Sequence, residues 1–165
     1  MNALGSEASI EGLSKDSAQP DRVAPELMRR IATAWSGEKV CVDVSECPDL
    51  FPALAVVAAA SPGETTFTGT RRLRIKESDR AAAMEEVLDK FGVSASAGEN
   101  DFAVKGVGGT LRGGSFSSFD DHRIAMAVAV GVTVASDEVE IDDIDCAAKS
   151  YPDFFDVFGR LRILV

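Results

Sequence analysis

The sequence predicts an α/β domain assembled from duplicated strand–helix units, with a set of helices buried against one another. Three observations carry this reading. The order short alternating strand, polar loop, amphipathic helix occurs twice and begins a third time, at a period of roughly 60–75 residues. Two further helical stretches, PALAVVAAA (52–60) and DHRIAMAVAVGVTVA (121–135), carry no charge beyond their starts, which predicts burial on every side. A chain of 165 residues that is 45% apolar can also bury one sizeable core. The repeats are read as approximately 7–62 and 63–136, with a partial third over 137–165, all within a single domain 1–165.

Each unit opens on a strand: EASIEGL (7–13), GETTFTGT (63–70) and DEVEIDDI (137–144). Helices then begin near Pro20–Arg22, Ser78–Arg80 and Tyr151–Phe154, where Pro152 suits a first helical position. Val23, Leu27, Ile31 and Trp35 fall on one side of the first helix, and Met84, Val87, Leu88 and Phe91 on one side of the second. Gly37 and Gly92 supply the expected helix ends. The third helix places Phe154, Val157, Phe158 and Leu161 together. Further strands are expected over 39–45, 93–97 and 101–107. The unit count is not whole, so the chain reads as part of something larger.

Bulk properties exclude several classes. A formal net charge of -10 and a pI near 4.5 disfavour nucleic acid as a partner, because phosphate-backbone binding needs a broad basic surface. The longest uncharged apolar run, 124–136, is well short of the roughly 18 residues a membrane span needs. The opening MNALGSEAS has no basic or apolar leader region, and no secretory signal is expected. Cys41, Cys47 and Cys146 form no CxxC pair, and with one histidine they make a metal site unexpected; reduced thiols in a cytoplasmic protein are the simplest reading.

Against this acidic background, RRLRIKESDR (71–80) holds five of the seventeen Lys and Arg residues. Cations also stand at helix starts, where the backbone dipole disfavours them. Lys76 and Arg80 flank one start, Arg123 follows a cap at Asp120 or Asp121, and Lys149 precedes Tyr151–Pro152. A bound phosphate or carboxylate would reverse that penalty. The alternatives are an ordinary exposed ion-pair set at Lys76, Glu77 and Arg80, and structural pairing of Arg123. Asp49, before the first buried helix, is a candidate cap by local sequence but matches the DDHR junction of the other repeat. Repeat symmetry brings these junctions to one end. Glu77 and Asp49, held among cations, could act as general bases, and His122 could tune or relay.

These residues resemble a known family. CPDLFPALA, RIKESDR, DDHRIAMA and AAKSYPDFF, in that order, are similar to the 3-phosphoshikimate 1-carboxyvinyltransferase (5-enolpyruvylshikimate-3-phosphate synthase) family, and GLSKDSAQPDR (12–22) resembles its preceding repeat. The resemblance implies an inside-out α/β barrel type of fold, built from βαβαββ units with buried parallel helices, this chain being the C-terminal one of two domains. It implies transfer of the enolpyruvyl group of phosphoenolpyruvate to the 5-hydroxyl of shikimate 3-phosphate, with release of phosphate and no cofactor or metal, in aromatic amino acid biosynthesis.

By matching position, Asp49 would be the base at the accepting hydroxyl, and Glu77 would exchange the proton at the methylene carbon. Arg80, Arg123 and Lys149 would hold phosphoenolpyruvate, Lys149 also assisting proton transfer; Lys76 would contact shikimate 3-phosphate, and His122 would support the site. Arg72 stands where some members have Asn. The family's N-terminal motifs are not in this sequence, so the chain is expected to fold but not to turn over without its partner domain. The alternatives are an enzyme like the UDP-N-acetylglucosamine enolpyruvyl transferases, which rely on a reactive cysteine loop, and a non-catalytic anion-binding module.

Overall fold

A computed structural model of the chain describes residues 16–32 and 39–161. The strand expected over 7–13, and Trp35 and Gly37, lie outside the described residues. Five α-helices and six strands are seen among them. Strands β1 (Val40–Asp43), β2 (Glu64–Thr68), β3 (Ser94–Ala97) and β4 (Asp101–Lys105) form one sheet in the order β1-β2-β4-β3, and β5 (Gly114–Phe116) pairs with β6 (Val139–Ile141). The helices are α1 (Ala24–Ala32), α2 (Phe51–Ala60), α3 (Arg80–Lys90), α4 (His122–Val132) and α5 (Phe154–Leu161).

Two parallel crossovers share one hydrogen-bond register. β1 pairs parallel with β2 across α2, Val40 opposite Thr65, and β5 pairs parallel with β6 across α4, Gly114 opposite Val139. Both crossovers thus join residue i to residue i+25, with a helix as the connection that a parallel pair requires. A β2–β4 and β4–β3 antiparallel meander completes the first sheet.

Strand alternation shows which way the sheet faces. Val40 and Val42 of β1, Thr65 and Phe67 of β2, and Phe102 and Val104 of β4 point inward, while Cys41, Asp43, Ala103 and Lys105 face solvent. A sheet wet on one face with helices on the other places those helices in the middle of the domain. α2 is that centre: all its residues but Ala53 are buried, and Phe51 meets Phe67 and Phe102 edge-on at 5.3 and 5.0 Å. α4 packs against α2, and Gly131 brings it against the Phe91 ring at the end of α3.

Several expectations need correction. α4 is not buried all round: Arg123, Met126 and Val130, at i, i+3 and i+7, form a half-buried strip, because α2, α3, β6 and the 145–149 turn cover its other sides only. α5 begins at Phe154, not at Pro152, because Ser150 and Tyr151 both donate their N–H to the Ala147 carbonyl and close the preceding 3-10 turn Asp145–Lys149. Lys149 therefore ends that turn rather than preceding α5. β5 and the 3-10 turn Thr70–Ile75 were not anticipated at all. The end of α3 is as expected: Gly92 adopts φ +80°, and Val93 N–H returns to the Leu88 carbonyl.

Candidate functional site

The carboxyl ends of β1, β2 and β5 lead to α2, α3 and α4, so three junctions meet at one end of the domain. The 48–50 turn brings Asp49, the 70–79 stretch brings Lys76, Glu77 and Ser78, and the 117–121 loop brings Asp120 and Asp121. Asp49 does not cap α2. Its Oδ1 accepts from Arg80 Nη1 at 2.7 Å and Lys76 Nζ at 3.2 Å, and its Oδ2 from Arg123 Nη2 at 3.4 Å. One carboxylate of the first repeat thus gathers cations from two sequence stretches of the second.

Arg80 is the hub, and it is no exposed ion-pair member: its side chain is 1% exposed. Its Nε donates to Asp121 Oδ2 at 2.8 Å, and its Nη2 to Glu77 Oε2 at 2.7 Å and Asp121 Oδ1 at 3.2 Å. Burial alone would lower the pKa of Arg80, but the three carboxylates raise it. Asp121 is wholly buried and caps α4 by accepting the Arg123 N–H at 2.9 Å; Ser78 Oγ donates to it at 2.9 Å. Its pKa is pushed up by burial, yet hydrogen bonds from Arg80 and its charge win and hold it below the usual range. Asp49 is likewise lowered against its burial, by Arg80, Lys76 and Arg123, and so stays ionised.

The α4 start is forced into place. Phe119 and Asp120 have φ +54° and +52°, a left-handed pair that non-glycine residues adopt at a cost of about 1–2 kcal/mol each. Hydrogen bonds hold them: Phe119 N–H to Ser117 Oγ, Asp120 N–H to Ser118 Oγ, and the Ser117 hydroxyl and Ser118 N–H to Asp142 beyond β6. The turn aims the Asp120 carbonyl and carboxylate outward, where Lys149 Nζ donates to both, at 3.2 and 2.7 Å. Hydrogen bonding to Asp120 raises the Lys149 pKa.

Two nitrogens here are unusual. Arg123 Nε and His122 Nδ1 are buried with no hydrogen-bond partner in the structure. Arg123 stands in the first turn of α4 and uses one nitrogen in a long contact to Asp49. A cation with spare donors at the positive end of a helix is fitted to an anion. Burial, then the charge of Arg123, lowers the His122 pKa, so the imidazole is neutral near pH 7.

Asp49, Lys76, Glu77, Arg80, His122, Arg123 and Lys149 are therefore brought to one end of the domain, linked through Asp121 and Asp120. The sequence reading gave Asp121 no part beyond a possible cap and passed over Ser78. Its signal was the doubled acid ahead of a basic, otherwise uncharged helix. Cys47 and Cys146 are buried with thiol pKa raised, chiefly by that burial, and Cys41 lies on the outer face of β1. Among the described residues no His, Cys, Asp and Glu group is arranged to hold a metal, and no helix is long and apolar enough to cross a membrane.

The fold and the cluster define a class: an α/β domain of strand–helix units whose junctions gather cations and carboxylates at one end. Comparison with known proteins places it further. Residues 17–158 match the family model described as EPSP synthase (3-phosphoshikimate 1-carboxyvinyltransferase), and the chain belongs to that family. It is 36% identical over 173 residues to the 3-phosphoshikimate 1-carboxyvinyltransferase of Clostridium kluyveri, covering 98% of this chain and 40% of the relative. The protein of that name from Clostridioides difficile is also 36% identical, over 97% of this chain and 39% of its own length. A solved EPSP synthase structure from Acinetobacter baumannii superposes with a TM-score of 0.67 at 32% identity, over 71% of this chain and 28% of that one. The chain thus spans about 40% of the length of the curated relatives it matches.

Proposed function

We propose that this chain is the C-terminal domain of a cytoplasmic enzyme that transfers the enolpyruvyl group of phosphoenolpyruvate to the 5-hydroxyl of shikimate 3-phosphate. The observation that carries this is Arg123, a first-turn cation whose Nε is buried without a partner, in a cluster that lies within the residues matched by the family model. Arg123, with Lys149 and Arg80, grips the carboxylate and phosphate of phosphoenolpyruvate; Lys76 contacts shikimate 3-phosphate.

Asp49 removes the proton from the 5-hydroxyl as its oxygen bonds to the central carbon of phosphoenolpyruvate, and Glu77, in its protonated form, delivers its proton to the methylene carbon. The tetrahedral adduct then loses that carbon's proton back to Glu77 as the C–O bond to phosphate breaks. Neutral His122 supports Arg123 without competing for the anion. Lys149 assists proton transfer from the rim.

The rest of the site comes from a partner domain of the same enzyme. Charge supports this. Lys76, Arg80, Arg123 and Lys149 are matched by Asp49, Glu77, Asp120 and Asp121, so the cluster is close to neutral. Two multiply charged substrates need further cations, and residues 1–165 alone are not expected to turn over. The test is phosphate release from the two substrates by the full-length protein and its Glu77→Ala variant. Removing a proton-transfer group lowers turnover by about 10²–10⁴-fold. Phosphate release unchanged in Glu77→Ala would remove Glu77 from the mechanism, and no release by the full-length protein would overturn the assignment in favour of a non-catalytic anion-binding module.

A further inference from the structure

We propose that Glu77 is a displaceable counter-ion: the carboxylate of phosphoenolpyruvate takes the Nη2 of Arg80 from Glu77, and this competition sets the affinity of the site. The proposal rests on the functional reading above and adds a control on access to it. Arg80 cannot swing out to meet a ligand. It is 1% exposed, with Nε fixed by Asp121 and Nη1 by Asp49. Both N–H groups of Nη2 are bonded, to Glu77 and Asp121, so an anion that takes Nη2 must displace one of Arg80's three carboxylates.

Two of the three are poorly placed to leave. Asp121 is wholly buried and also satisfies Ser78 Oγ and the Arg123 N–H, so its departure would strand those donors along with the buried Arg80 Nε. Asp49 is bonded to three cations at once. Glu77 is different. Its carboxylate is 45% exposed and has a single contact among the described residues, 2.7 Å to Arg80 Nη2. Releasing it breaks one ion pair and returns a carboxylate to water.

The exchange is also clean. Asp121 Oδ1 holds Nη2 at 3.2 Å from the other side, so the guanidinium keeps its orientation while Glu77 departs. One carboxylate replaces another, and at no stage is the buried Arg80 charge left bare. Phosphoenolpyruvate therefore meets a preset donor but binds only the fraction of molecules in which Glu77 has moved aside.

Abolishing the competition should tighten binding. A pair with one exposed partner contributes up to about 1 kcal/mol, so Glu77→Gln is expected to lower the Kd for phosphoenolpyruvate by about fivefold. Equilibrium dialysis of labelled phosphoenolpyruvate against the full-length protein measures this, with phosphate release assayed in parallel. Glu86→Gln is the control: it removes the same charge from α3, where Glu86 pairs with Lys90 outside the site.

The expected result is tighter binding with lost turnover in Glu77→Gln, and neither change in Glu86→Gln. A purely structural role for Glu77 would weaken binding and turnover together, which overturns the proposal, as does equal tightening in both variants. Should Glu77→Gln not fold, Glu77→Ala carries the same expectation. A wild-type protein that turns over while its Glu77 variants bind no more tightly sinks the counter-ion alone. One that neither binds phosphoenolpyruvate nor releases phosphate sinks the functional reading with it.

Discussion

Asp121→Asn isolates the charge that ties the starts of α3 and α4 together. Asp121 accepts four hydrogen bonds: Arg80 Nε at 2.8 Å and Ser78 Oγ at 2.9 Å on Oδ2, and Arg123 N–H at 2.9 Å and Arg80 Nη2 at 3.2 Å on Oδ1. Asparagine is a good helix cap, so one oxygen can still receive the Arg123 N–H. Its amide nitrogen then faces the Arg80 Nε–H, donor against donor, in a fully buried place. Breaking a buried ion pair from one side costs about 3–5 kcal/mol. Arg80 keeps Asp49 and Glu77, which puts the expected loss near the lower end, about 3 kcal/mol. With a urea slope of about 2 kcal/mol/M, the unfolding midpoint of the full-length protein should fall by about 1.5 M at unchanged slope. Asp120→Asn, at the neighbouring but exposed carboxylate, should leave the midpoint where it is. A shift in Asp121→Asn below about 0.3 M would refute the claim that this carboxylate holds the junction together.

Other outcomes follow from the same structure. Gly131→Ala drives a methyl group into the Phe91 ring, where the α3–α4 contact has no slack, and should cost about 1–3 kcal/mol in denaturant unfolding. His122 should make the fold acid-sensitive. Its pKa is lowered in the folded state, so below about pH 6.5 the unfolded chain takes up a proton that the native site resists, and stability falls as pH falls. Thermal unfolding at pH 7 and pH 5 should therefore show a larger drop in Tm for wild type than for His122→Asn; equal drops would contradict the buried, neutral imidazole.

Much of this architecture was legible in the chain. α2 and α4 announce themselves because a helix without charge has nowhere to go but inside, and α3 shows an apolar stripe, a capping Asp79 and a terminal glycine. β5 was missed because three residues next to a glycine pair give no alternation to read. The start of α5 was misplaced because a proline signals a permitted first position, not a required one, and the 145–149 turn takes the intervening hydrogen bonds.

At the site, the residue types were readable but their division of labour was not. Arg80 near a helix start looks like a free cation, whereas its partners Asp49 and Asp121 lie 31 and 41 residues away. Only folding shows that Arg80 is buried, with every side-chain nitrogen bonded to a carboxylate, while the Arg123 Nε has no partner. An acid ahead of a helix reads as a cap, and nothing local reveals that Asp121 also anchors a guanidinium.

The central claim is that Arg123 is the site's open hand for phosphoenolpyruvate. Titrating labelled phosphoenolpyruvate into the full-length protein and its Arg123→Gln and Arg112→Gln variants tests it most directly. Losing a charge-assisted contact to the anion, about 1.5–3 kcal/mol, should weaken binding at least tenfold in Arg123→Gln and leave Arg112→Gln, away from the junctions, as wild type. Equal affinity in all three proteins would contradict the account.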